Sequence, residues 1–409
     1  MNFTTKALEI VTKAEKDLVE DFKFVDDIAF LNQLKVLNAF QNNNISLRHF
    51  SQTTGYGYDD IGRDTLSKVF ADIFHTESAI VSPNIVSGTH ALTIALFGIL
   101  RPNQKLLCIT GNPYDTLLEV INGDNIGSLK DFGVSFEKID LLNGDFDFEK
   151  IKIALNQKNI GLVFIGRSRG YEWRDALSCE QIKKAIKLVK SVNPNLTVMV
   201  DNCYGEFIET IEPTDVGADF AVGSLIKNAG GGIAPTGGYI CGTKKAVEQI
   251  SYRLTSPSIG AEVGSYNAGY LPFYQGVFLA PHVTANAIKG SMLFGKVFDT
   301  LGYETMPKPH QQCYDIIRSI KFNTADELID FVRSIQKASP VDSNVVPFAW
   351  DMPGYVDKVI MAAGTFVQGA SIELSADSPI KEPYIAYLQG GLTYEHVKIA
   401  CLYCLESKI

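Results

Sequence analysis

Lys227, in Gly223-Ser224-Leu225-Ile226-Lys227-Asn228, stands 26 positions (227 minus 201) after the aspartate of Val200-Asp201-Asn202-Cys203-Tyr204. Asp201 ends the apolar run Leu196 to Val200, and Lys227 follows the run Phe220 to Gly223. Each is therefore expected at the carboxyl end of a buried strand, where open α/β sheets bind ligands. An amine and a carboxylate so placed are what pyridoxal phosphate (PLP) chemistry requires. The amine forms a Schiff base with the cofactor, and the carboxylate keeps its pyridine nitrogen protonated.

Three further segments carry groups suited to the same ligand. Ser87-Gly88-Thr89-His90 precedes the helical run Ala91 to Leu100, so its N–H groups and hydroxyls would face a phosphate at a helix N-terminus; the same serine or threonine would serve as an ordinary helix cap. Ser224, three residues before Lys227, adds a hydroxyl. Tyr114, in Gly111-Asn112-Pro113-Tyr114-Asp115-Thr116, falls on a strand-to-helix turn where a flat ring could stack on a pyridine, although Asn-Pro and Asp-Thr are also common turn and cap pairs. Gly55-Tyr56-Gly57-Tyr58, with Arg63 five residues later, is a glycine-loosened loop with two phenols and a guanidinium. A planar fork of N–H donors suits phosphate, and the alternative is an exposed loop tip.

The elements that must position these groups follow from the hydrophobic pattern. From Thr53 to about Gly242, strand-like runs alternate with helical ones: Ala79 to Val81, Lys105 to Ile109, Gly161 to Ile165, Leu196 to Val200, Phe220 to Val222 and Gly238 to Cys241. That alternation predicts βαβ units and a mostly parallel sheet with helices on both faces. Residues 1 to about 45 read as amphipathic helices, with Leu8, Val11, Ala14, Leu18 and Phe22 spaced by three and four; such a segment could serve as an oligomer arm. Beyond residue 275 the pattern changes to a long helix from Pro281 to Leu301, then shorter elements including strands over Lys358 to Ala362 and Tyr384 to Leu388. The expected organisation is an N-terminal helical arm (1–50), a large domain (51–275) and a smaller α+β domain (276–409).

Composition narrows the functional classes. At 409 residues the chain exceeds one core. A net charge of -9 disfavours nucleic acid and anionic membrane partners, which call for basic surface. The charged first twenty residues lack the apolar core of a signal peptide, and no apolar stretch approaches a bilayer span. Seven scattered cysteines fit reduced thiols and a cytoplasmic location, with Cys401 and Cys404 read as buried helical residues despite their C-x-x-C spacing. The six histidines show no metal-ligand spacing. No G-x-G-x-x-G follows the first strand, which weakens a nucleotide-binding Rossmann reading.

Taken together, Val200 to Tyr204, Ala218-Asp219-Phe220 running into Ser224 to Lys227, Ser87-Gly88 and Pro113-Tyr114-Asp115 resemble the Cys/Met-metabolism PLP enzymes, the cystathionine lyase and methionine γ-lyase group of the aspartate aminotransferase fold. Thr53 to Tyr58, Arg167-Ser168-Arg169-Gly170-Tyr171, Gly223 to Gly232 and Ile372 to Asp377 resemble the methionine γ-lyase-like branch often labelled aluminium resistance proteins. The resemblance implies a fold type I enzyme with Lys227 as Schiff-base lysine, Asp201 on the pyridine nitrogen and Tyr114 over the ring. It also implies Ser87, Gly88, Thr89 and Ser224 around the phosphate, with Tyr56, Tyr58 or Arg63 reaching it from a neighbouring subunit of a dimer or dimer of dimers. The implied activity is carbon–sulfur β- or γ-elimination from a sulfur-containing amino acid. A transferase, aldolase, racemase or low-turnover PLP-binding protein are the alternatives. Two positions depart from the family. Ile226 replaces a phosphate-binding threonine, leaving Gly230 to Gly232 or Thr236 to substitute. Tyr387 stands where the lyases place the arginine that holds the substrate carboxylate, so Arg167 and Arg169, with Tyr58 nearby and Arg174 as a further candidate, are the expected substrate contacts. The word aluminium has no counterpart in a carboxylate cluster, and no metal is expected.

Overall fold

The computed structural model describes residues 3–352 and 357–408. Two sheets organise the chain. The larger takes β1 (Ser78–Ser82), β2 (Lys105–Cys108), β3 (Ser135–Lys138), β4 (Ile160–Gly166), β5 (Thr197–Asp201), β6 (Phe220–Ser224) and β7 (Gly238–Gly242) in the order β1-β7-β6-β5-β4-β2-β3. Neighbours from β3 through β6 run parallel, while β7 is antiparallel to both β6 and β1. The smaller sheet, entirely antiparallel, orders β8 (Glu304–Met306), β9 (Arg318–Phe322), β10 (Val359–Ala362), β11 (Ser375–Pro379) and β12 (Tyr384–Gln389) as β10-β11-β12-β9-β8.

The period-two alternation of a strand explains why the large sheet is apolar on both faces. Leu106, Phe164, Met199 and Val222 point to one side, where they pack with Leu92 and Leu96 of α4 (Gly88–Ile99), Ile121 of α5 (Asp115–Asn122) and Ile250 of α8 (Lys244–Leu254). Their neighbours Leu107, Val163, Val198 and Val200 face the other side, against α6 (Phe148–Ala154) and α7 (Cys179–Val192). A third cluster joins α3 (Ile61–Ile73) to Val81, Tyr239 and Cys241. The smaller sheet buries Ile320, Ile360, Ala376 and Leu388 beneath α10 (Ala325–Ala338) and α11 (Tyr394–Glu406), and Cys401 and Cys404 lie buried in α11 as free thiols.

Two expectations change, the extent of the long helix and the burial of Leu8. The long helix, α9, runs Leu271–Thr300, beginning ten residues before Pro281, which is buried within it; the boundary drawn at residue 276 therefore falls inside a continuous helix. The N-terminal segment is two helices, α1 (Thr5–Asp17) and α2 (Val19–Asn42), meeting at Leu18. Ala7, Val11 and Ala14 pack into the small-sheet core and Val36 and Ala39 against α3 and α9, so both helices are anchored on their own chain. Leu8, expected on the buried face, is 44% exposed.

Candidate active site

The parallel strands deliver their carboxyl ends to one edge of the large sheet. Asp201 is the last residue of β5, paired in register with Gly166 of β4 and Val222 of β6. Ser224 ends β6, and Lys227 follows as the cap of a short 3-10 turn, Asn228–Gly230. The N-terminus of α4 meets the same edge: Ser87 caps it by accepting from the His90 N–H at 3.1 Å. A Cβ built on Gly88 would lie 3.3 Å from Ser224 Cβ and 3.6 Å from Cys203 Sγ. The absence of a side chain at Gly88 thus keeps open a hollow lined by the first N–H groups of a helix and by serine. Tyr114, at the N-cap of α5, shares a 2.9 Å hydrogen bond with the Thr89 hydroxyl at the start of α4.

The turn after Asp201 holds features not visible in residue types alone. Tyr204 and Phe207 both take positive φ (70° and 63°), a conformation that non-glycine residues adopt at a cost. The Tyr204 ring lies beneath Lys227, with Nζ 4.2 Å from its centroid. Asp201 accepts from the Cys203 N–H at 3.1 Å. Burial pushes its carboxyl above the usual carboxylate range, opposed by the charge of Lys227 and the Cys203 hydrogen bonds. Burial alone would lower the Lys227 amine, but the acidic groups around it, Cys203, Tyr204, Asp201 and Tyr114, outweigh this and hold it above the ordinary lysine value. The Tyr114 phenol is also raised, chiefly by burial and then by Asp201. One step behind, Glu206 is fully buried and accepts from the Tyr239 hydroxyl at 2.7 Å. Burial lifts its carboxyl to about 8.

A PLP molecule needs an amine, an acidic group for its ring nitrogen, and an anion site at a suitable separation on one surface. Lys227, Asp201 and the α4 N-terminus with Ser87, Gly88, Thr89 and Ser224 supply those groups at one sheet edge, and among the described residues Asp201 has no arginine or lysine ion pair within 4.0 Å that would compete for the ring nitrogen.

The expected arginines are not available in the same way. Arg167 and Arg169 do follow β4 to this edge, but both are buried. Arg167 donates to Leu177 O (3.3 Å), Asn202 Oδ1 (2.8 Å), Gly205 O (2.9 Å) and Glu209 (2.6 Å). Arg169 pairs with Asp315 at 3.1 Å and donates to Met306 O at 3.0 Å. These guanidiniums fasten loops to one another, and a substrate carboxylate would have to break buried ion pairs to reach them. Arg174 is engaged by Glu172 and the carbonyls of Ser168 and Asp175. Arg63, also buried, donates to Gly57 O (2.9 Å), Gly264 O (3.2 Å) and Glu262 O (3.3 Å), so it anchors the loop that carries Tyr56 and Tyr58. Those two phenols are 70% and 61% exposed, with ring centroids 5.6 Å apart. Tyr387, buried on β12, donates to the Tyr171 carbonyl at 2.6 Å. Among the described residues no group of histidines, cysteines and carboxylates is arranged to hold a metal ion.

Comparison with known proteins places this geometry in a lineage. The chain is 49% identical over 399 residues to YnbB of Bacillus subtilis, spanning 97% of this chain and 94% of that protein. The solved structure of a carbon–sulfur lyase involved in aluminium resistance from Clostridium novyi superposes with a TM-score of 0.96 at 51% identity, covering 100% of this chain and 97% of that one. The pyridoxal-5'-phosphate dependent protein YhfS of Escherichia coli shares the fold at a TM-score of 0.64 and 15% identity, over 94% and 97% of the two chains. A family model described as methionine gamma-lyase matches residues 7–409, and the chain belongs to that family.

Proposed function

We propose that the protein is a PLP-dependent carbon–sulfur lyase that removes the α-proton of a sulfur-containing amino acid and expels a thiol by β- or γ-elimination. The observation that carries this reading is the Lys227 amine and Asp201 carboxylate at neighbouring strand ends beside the open N-terminus of α4. Family membership and the 51% identical carbon–sulfur lyase support it.

When bound, the cofactor supplies an electron-poor ring that stabilises negative charge at the substrate α-carbon. The side chains supply position and protons. Lys227 Nζ, held over the Tyr204 ring, is the amine that would bind the cofactor and would serve as the base for the substrate α-proton. Asp201 is the carboxylate that would pair with the ring nitrogen and keep it protonated, since an opposite charge nearby favours the ionised carboxylate. Tyr114, linked to Thr89, covers the ring face and keeps water out. Ser87, Gly88, Thr89 and Ser224 hold the phosphate. In this reading the working form is a cytoplasmic homodimer or dimer of dimers, with Tyr56 and Tyr58 entering the partner's site; among the described residues no helix is long and apolar enough to cross a membrane.

The deciding experiment incubates purified holoprotein with a panel of amino acids and follows α-keto acid, ammonia and thiol. Stoichiometric release of all three from one sulfur amino acid is expected. Amino-group transfer or racemisation without thiol release would replace the lyase reading with another PLP reaction.

A further inference from the structure

The wall of the cleft contributed by the smaller sheet carries a negative group. Asp377 on β11 stands opposite Tyr387 on β12 in register, accepts from Gln389 Nε2 at 3.0 Å, and is hydrogen-bonded by the Tyr171 side chain. The Tyr171 ring in turn rests against Tyr387, centroids 5.0 Å apart. This wall faces the amine: Tyr204, the ring under Lys227 Nζ, packs in one cluster with Tyr171 and Tyr387, the two rings beside Asp377, and the Asp377 carboxyl feels the charge of Lys227. Both hydrogen-bond donors to Asp377 are neutral. Among the described residues it has no salt-bridge partner within 4.0 Å, so its charge is hydrogen-bonded without being neutralised. Burial raises the carboxyl only to about 6, which leaves it ionised at pH 8.

A carboxylate at this position repels an anionic group brought into the cleft and attracts a cationic one, and both effects strengthen as water is excluded. Arg167 and Arg169 are tied into other pairs, and among the described residues no arginine or lysine pairs with Asp377 to reverse that sign. We propose that Asp377 is a specificity-determining residue that selects substrates bearing a second ammonium group, beyond the α-amino group, on the side chain that leaves with sulfur. The inference rests on the lyase reading and adds the charge of the substrate to it.

The test uses holoenzyme at pH 8 and two substrates of equal length, S-(2-aminoethyl)-cysteine and S-propyl-cysteine, one cationic and one neutral at the distal end. Wild-type protein should favour the aminoethyl compound in kcat/KM by at least tenfold. Asp377→Asn should cut that ratio at least tenfold, mainly through the KM of the aminoethyl substrate, and Asp377→Glu should restore part of it, while the absorbance of bound cofactor stays unaltered in both. A wild-type ratio near one overturns the proposal without recourse to any variant, and so settles the matter even if Asp377→Asn does not fold. A variant in which both substrates lose rate equally, at constant ratio, also overturns it, since that is the signature of a packing or chemical role. Holoenzyme that cleaves neither these thioethers nor their homocysteine homologues overturns the lyase reading itself, whereas cleavage of both members of a pair without charge preference removes only the assignment to Asp377.

Discussion

Burying an amine and a carboxylate removes both from water, and neighbouring charge and hydrogen bonds must offset that loss. Lys227 and Asp201, carried by adjacent strands, feel each other's charge without forming an ion pair, and Tyr204 and the Cys203 N–H complete their surroundings. Lys227→Ala is expected to abolish the visible absorbance of bound cofactor while melting within a few degrees of wild type; borohydride reduction and peptide mapping check it, and a pyridoxyl adduct on any other lysine would sink the assignment. Asp201→Asn keeps the shape and loses the charge, so α-proton exchange into deuterated solvent should fall by about a hundredfold or more, in the range seen when a positioned charge is removed; exchange at the wild-type rate would show that the ring nitrogen finds its proton elsewhere. Glu206 gives a separate test through stability. Its folded-state value near 8 lies above the usual 4.5, so the folded protein binds the proton more tightly than the unfolded chain does. The stabilisation is complete below pH 4.5 and is lost progressively as pH rises through 8, an effect of up to roughly 5 kcal/mol. Glu206→Gln keeps the bond to Tyr239 and removes the titration. Its melting temperature should therefore decline less than that of wild type between pH 6 and pH 9, and parallel declines would mean that Glu206 does not hold its proton.

Strands and helices fix where those residues stand, and the sequence pattern revealed some of these elements better than others. The runs that became β1, β2, β4, β5, β6 and β7 were legible because central strands covered on both faces are continuously apolar. β3 was not, since at the sheet edge Ser135-Phe136-Glu137-Lys138 is only partly covered. β11 escaped for the opposite reason: Ser375-Ala376-Asp377-Ser378-Pro379 is small and polar yet mostly buried, a composition that reads as a turn. The chemical residues at strand ends were readable from their positions after apolar runs. The fate of Arg167 and Arg169 was not, because it depends on Glu209 and Asp315, which are remote in sequence and brought close by packing. Equally hidden was the contact that sets the height of Lys227. A Cβ on Gly276 of α9 would fall 2.4 Å from Gly230 O, and one on Gly231 only 2.3 Å from Gly276 O, so helix and turn touch backbone to backbone. Gly276→Ala should force them apart, lowering stability by about 1–3 kcal/mol and reducing cofactor occupancy together with it. Thermal melting and cofactor absorbance measure the two effects, and full occupancy in a destabilised variant would show that the turn does not depend on α9 for its position.

At the scale of the whole molecule the single chain leaves apolar surface uncovered near the site. Phe30, Leu31 and Leu34 of α2 are exposed, and the two phenols of the 55–58 loop project outward although the loop itself is firmly held, by Arg63 and by the Ser265 hydroxyl donating to Gly55 O at 2.9 Å. A rigid loop that presents aromatic hydroxyls away from its own core is suited to completing another subunit's site, and a two-fold dimer would make the exchange reciprocal. The sequence groups Tyr56, Tyr58 and Arg63 as candidates for a neighbouring phosphate, but the guanidinium braces the loop by bonding three carbonyls of its own chain, so under the proposed arrangement the phenols alone would reach it. The expectation can be tested by complementation. Lys227→Ala protein lacks the amine and Tyr58→Ala protein lacks a phenol, so each alone should be close to inactive. If the loop serves the partner, a mixed dimer holds one site with both defects and one with neither. Random reassociation of equal amounts makes about half of the dimers mixed, and with one intact site in each, activity should return to about a quarter of the wild-type level. If each subunit instead builds its site from its own loop, every site in the mixed dimer lacks one group or the other, and dimers shown by mass spectrometry to be mixed would recover no activity.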